Sequence, residues 1–117
     1  MVENIEFSGA AVPDENGAGI TTGLVANNIF SGGGTVLSGV NTITLRTNLI
    51  SNAPGLVDSA NFDYRLAAGP PAINAGSDPG TGAGVSLVPT SQYLHPFNRE
   101  DRPTRNGIDM GAYEYAP

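Results

Sequence analysis

Apolar positions along this chain come in short runs set between turn residues. Thr42-Ile43-Thr44-Leu45-Arg46 alternates polar and apolar, so Ile43 and Leu45 share one face of an extended segment. The same pattern predicts strands at residues 4–8, 20–25, 28–31, 35–38, 48–51 and 55–58. The breaks Pro13-Asp14-Glu15-Asn16-Gly17, Ser31-Gly32-Gly33-Gly34 and Asn52-Ala53-Pro54-Gly55 carry the residue types that turns require. No apolar stripe of helical period with capping residues interrupts them.

A weak repeat runs through these segments. Asn4-Ile5-Glu6-Phe7-Ser8, Asn28-Ile29-Phe30-Ser31 and Asn48-Leu49-Ile50-Ser51 share asparagine, aliphatic, apolar and serine positions, with asparagines at 4, 28 and 48. Repeats of this size point to a solenoid, and short strands without helices point to a coil of strands. Strands of this length also build sandwiches. The recurring asparagine favours the coil, because side-chain amides at equivalent turns stack and satisfy turn backbone groups. The expectation is therefore an all-β chain, a short right-handed parallel β-helix. Residues 1–61 would form about three coils. From Phe62 the repeat stops, Gly, Pro, Ala and Ser accumulate over 67–89, and residues 62–117 read as an irregular C-terminal cap of the same domain.

Composition narrows the partners. Eleven acids face five basic residues, all arginine, for a net charge of −6, so phosphate-rich nucleic acid and acidic membrane surfaces are disfavoured. With no cysteine there is no disulfide, thiolate nucleophile or cysteine-based zinc site. No apolar run is long enough for a membrane span, and the acidic start Met1-Val2-Glu3 is unlike a signal peptide. An uncapped first coil would expose Ile5 and Phe7, which predicts self-association through that end as a homo-oligomer.

Two strings resemble a known module. Residues 61–76, Asn-Phe-Asp-Tyr-Arg-Leu-Ala-Ala-Gly-Pro-Pro-Ala-Ile-Asn-Ala-Gly, and Arg102-Pro103 followed by Ile108-Asp109-Met110-Gly111-Ala112-Tyr113-Glu114-Tyr115 resemble the C-terminal module of bacterial right-handed parallel β-helix proteins, the pectate-lyase-like, choice-of-anchor type. Pro70 departs from the serine usual at that place. The resemblance covers about half the chain and implies a surface or extracellular setting. Its longer members include polysaccharide lyases, glycoside hydrolases and adhesin-like proteins. It carries over no catalytic residue.

Candidate chemistry is sparse. Asp58 and Asp63 flank a turn and could share a Ca²⁺ ion or simply brace it. Asp63 and Arg65 point the same way on an extended segment and are placed to pair. Tyr93-Leu94-His95-Pro96-Phe97 sets rings and the one histidine on one side of an extended stretch, suited to stacking on sugars or to covering the last coil. Arg99, Arg102 and Arg105, beside Glu100, Asp101 and Asp109, suit an anionic glycan or a braced cap. The glycine-rich segment 78–84 lacks the lysine of a phosphate loop and reads as a flexible loop. The functional expectation is a non-catalytic structural or polysaccharide-binding module, with Tyr93, His95, Arg99 and Arg102 as ligand contacts. A fragment of a polysaccharide lyase or glycoside hydrolase, with its active site upstream or at a subunit interface, is the alternative.

Overall fold

The computed structural model describes residues 23–36, 43–103 and 105–117. Its first part is a two-tier corner. Strands β1 (Gly23–Ala26) and β2 (Ile29–Phe30) lie parallel to β3 (Ile43–Arg46) and β4 (Leu49–Ile50), respectively. The register holds at 20 residues throughout, from Gly23 opposite Ile43 to Phe30 opposite Ile50.

Asparagine chemistry maintains that register through the bend. The backbone N–H and Nδ2 of Asn28 both donate to Asn48 Oδ1, at 3.0 and 3.1 Å, and Asn48 Nδ2 donates to Val25 O at 2.8 Å. Asn28 is fully buried, and its Nδ2 also reaches Ala26 O at 2.8 Å. Asn27 and Thr47 turn the two tiers with left-handed backbones, φ 59° and 48°. A β-branched residue avoids that region. The Thr47 hydroxyl offsets the strain by donating to Asn27 Oδ1 at 2.8 Å and meeting Ser77 Oγ at 2.7 Å.

Beyond Ile50 the pairing becomes local and antiparallel. β5 (Leu56–Asp58) pairs with β6 (Asp63–Leu66) around a 3-10 turn at Ser59–Asn61. β7 (Thr81–Gly82) pairs with β8 (Val85–Ser86), and β9 (Ser91–Leu94) with β10 (Asn98–Asp101).

This architecture corrects the expected parallel β-helix. The ten strands among the described residues form five separate two-stranded sheets, with no closed or solenoid sheet. After β4 the chain does not add a third parallel tier. Phe62 takes the left-handed conformation (φ 66°) and Asn61 Nδ2 donates to Asp58 Oδ2 at 2.7 Å, which folds β5 straight back onto β6. A short hairpin loop closes at lower entropic cost than a long crossover and satisfies the same backbone groups. The repeat unit at 4–8, the end carrying Ile5 and Phe7, and residues 37–38 lie outside the described residues.

Two further expectations change. The segment 78–84 is no open loop, because Ala83 and Gly84 both have positive φ (48° and 80°), the conformation of a two-residue hairpin between β7 and β8. The stretch 93–97 does not stay extended, since it turns over residues 95–97 between β9 and β10.

The core gathers Ile29, Leu66, Ala72 and Met110, with Leu49, Leu56, Ile73 and Tyr115 packed against them. Burying one such aliphatic side chain contributes about 1.5–3 kcal/mol. The two strings quoted above meet here. Met110 N donates to Ala72 O at 2.9 Å, Gly76 N to Ile108 O at 2.7 Å, and Gly111 N to Asn27 O at 2.6 Å. Both glycines are needed for that approach. A Cβ on Gly76 would sit 2.7 Å from Ile108 O, and one on Gly111 would sit 2.8 Å from Ile29 Cδ1.

Candidate functional site

The arginines singled out in sequence separate in space. Arg102 is buried and donates to Gly111 O and Asp109 O, each at 3.2 Å, and to Glu114 Oε2 at 3.3 Å. Its planar fork suits three acceptors at once, which holds the last segment closed. Asp109 completes this frame. Its Oδ1 accepts from Asn74 N and its Oδ2 from Tyr115 N, each at 2.5 Å, while its own N–H donates to Glu114 Oε1 at 3.0 Å. Burial pushes the Glu114 carboxyl above its ordinary range, against the pull of the Asp109 N–H and the Arg102 charge. Arg102 is thus part of the frame and is closed to a ligand. Arg105 is exposed.

A second group of residues is open. The turn after β5 and the hairpin β9–β10 enclose a groove of about 420 Å³. Phe62, Asp63 and Arg65 line one wall; Tyr93, Leu94, His95 and Glu100 line the other. Phe62 is 65% exposed and Tyr93 46%. The Tyr93 and His95 rings meet edge to face, 6.2 Å between centroids, and Tyr93 OH donates to Pro96 O at 2.9 Å. These rings face solvent, and Phe97 at the hairpin tip is 96% exposed, so they do not serve as a cover for the core. Arg99 stands opposite Tyr93 across the ladder, beside the groove and outside its lining.

The groove's charges are already engaged. Arg65 grips Asp63 with two bonds, Nε to Oδ1 at 2.8 Å and the terminal nitrogen to Oδ2 at 2.5 Å. That pairing holds the Asp63 carboxyl below its ordinary range and raises the Arg65 guanidinium. Gln92 Nε2 donates to Glu100 Oε1 at 2.8 Å, and the same amide's Oε1 accepts Glu114 N at 2.9 Å, linking groove to frame. Asp58 and Asp63 are opposite each other in the β5–β6 ladder, but the first carboxylate is bound to Asn61 and the second to Arg65. Among the described residues no group of three His, Cys, Asp or Glu side chains is gathered as a metal site, and no helix is long and apolar enough to cross a membrane.

Of the four expected ligand contacts, the structure therefore places Tyr93 and His95 in one groove, Arg99 beside it and Arg102 in the frame. Phe62 and Glu100 were not anticipated as groove residues. Phe62 lies 31 positions from Tyr93 (93 less 62), and no local pattern signals that approach. No family model, curated protein or solved structure matches the chain.

Proposed function

We propose that this chain is a non-catalytic module that holds a glycan in the groove between the β5–β6 turn and the β9–β10 hairpin. The observation that carries this reading is the pair of exposed rings, Phe62 and Tyr93, sharing one groove with Asp63, Arg65, His95 and Glu100. Exposed aromatic faces stack on the apolar faces of sugar rings, while fixed donors and acceptors around them bind hydroxyls. A prearranged rim also lowers the ordering cost of binding. The resemblance of residues 61–76 and 102–115 to a module found in polysaccharide-acting proteins points the same way.

A catalytic role for this groove has less support. Acid or base catalysis by the groove's carboxylates would require one free to exchange a proton at the substrate. Here both oxygens of Asp63 are bound by Arg65, and Glu100 is bound by Gln92.

The test is calorimetric titration with soluble pectic, alginate, xylan and chitin oligosaccharides, alongside assays for unsaturated products and new reducing ends. Binding without turnover is expected, weakened about 3- to 10-fold by Tyr93→Ala or Phe62→Ala. Turnover abolished by Asp63→Asn would overturn the reading.

A further inference from the structure

Strand β6 serves two faces. Successive side chains of a strand point opposite ways. Asp63 and Arg65 face the groove described above, whereas Tyr64 lines a different cavity, of about 510 Å³. That volume lies within the range that small ligands occupy, about 300–1,000 Å³. Its apolar surface comes mainly from Ile29, Pro54 and Leu56, and its polar side chains are those of Ser31, Asn52, Ser59 and Tyr64. Among the described residues the side-chain polar atoms of Asn52, Ser59 and Tyr64 are engaged by no other group of the chain, Asn52 and Ser59 being exposed to solvent and Tyr64 half-buried, and no charged side chain lines the cavity.

The wall is fixed before any ligand arrives. Ala53 N donates to Ser51 Oγ at 3.1 Å, and Ala67 N to Gly55 O at 2.8 Å. Gly55 has φ 79°, and a Cβ there would lie 2.7 Å from Pro70 Cβ, so the loop is pressed against residue 70.

We propose that this cavity is a second binding site, which takes one uncharged sugar ring, independently of the groove across β6. A charged ligand would lose hydration here with no opposite charge to compensate it. An apolar ligand would displace water from the amide and two hydroxyls without replacing its hydrogen bonds. An uncharged pyranose offers what both sets of groups require, an apolar face for the aliphatic floor and tyrosine ring and hydroxyls for the free polar atoms.

The experiment is amide NMR titration of the full chain with methyl glucoside, methyl galactoside and methyl xyloside. Galacturonate serves as the charged counterpart, and cyclohexanol as a ring with a single hydroxyl. Shifts at Ala53, Gly55, Ser59 and Tyr64 are expected with at least one neutral glycoside. Tyr64→Ala should weaken that binding about 3- to 10-fold, and Asn52→Ala, an exposed change that reads the same site if the tyrosine variant fails to fold, by a similar factor. Tyr93→Ala should leave it unchanged, which separates this site from the groove. Three results would overturn the proposal: no neutral glycoside moving these amides at the solubility limit, galacturonate or cyclohexanol binding as tightly, or Asn52→Ala leaving affinity intact.

Discussion

The β9–β10 hairpin and the segment 102–115 adjoin in sequence and use similar residue types, yet they are built on opposite plans. In the segment, the charged groups of Arg102, Asp109 and Glu114 are enclosed, and each oxygen of Asp109 meets a backbone N–H. In the hairpin, Tyr93, Leu94 and Phe97 stand in solvent, and their neighbours Arg99 and Glu100 are exposed. The difference lies in what surrounds each group. A buried charge must have its partners supplied by the chain, so it serves the fold. An exposed ring has no such obligation and is open to a ligand. Arg99 and Arg102 show how finely this divides, three positions apart with one on each side.

The comparison breaks most visibly at Asp109. Asp109→Ala would leave the N–H groups of Asn74 and Tyr115 without their acceptor, at a cost of about 3 kcal/mol or more. Denaturant unfolding measures it, and a loss under 1 kcal/mol would mean the frame is not a frame. Arg102→Met should cost about 3 kcal/mol by leaving Glu114 buried without its cation. Arg102→Lys should recover only part, since one ammonium cannot match the fork's three acceptors.

A smaller effect comes from pH. Glu114 binds its proton more tightly in the folded chain than in the unfolded one, where its ordinary value is 4.5. Its contribution is therefore full below pH 4.5 and declines as pH rises through the higher folded value. Asp63 has the opposite sign, stabilising above its ordinary value of 3.8 and losing that as pH falls, but its exposed pair contributes little. Unfolding midpoints should accordingly fall as pH rises from 4.5 towards neutrality, and Glu114→Gln should flatten that slope. On the open side the expected changes are smallest: Arg99→Ala and Phe97→Ala should each alter stability by less than about 0.5 kcal/mol.

Much of the corner was legible from pattern alone. Predicted strands at 28–31, 42–46, 48–51 and 55–58 correspond within about a residue to β2, β3, β4 and β5, and the recurring asparagines at 28 and 48 do stack. The third expected repeat, at 4–8, lies outside the described residues. After Ile50 the chain turns back as an antiparallel hairpin, and that depends on Phe62 accepting a conformation usually given to glycine or asparagine. The groove was half legible. Tyr93 and His95 stood out as a local aromatic pattern, while Phe62 and Glu100 joined them only through packing between hairpins. Arg102 was visible as a charge but not as a buried one, because burial follows from the partners at 109, 111 and 114.

The division between an enclosed frame and an open groove is tested most directly by mapping amide shifts as a binding oligosaccharide is titrated into the intact chain. The account predicts shifts at Phe62, Arg65, Tyr93 and Leu94, with Asn74, Asp109 and Tyr115 unmoved. Shifts centred on the frame residues, with the groove silent, would contradict it.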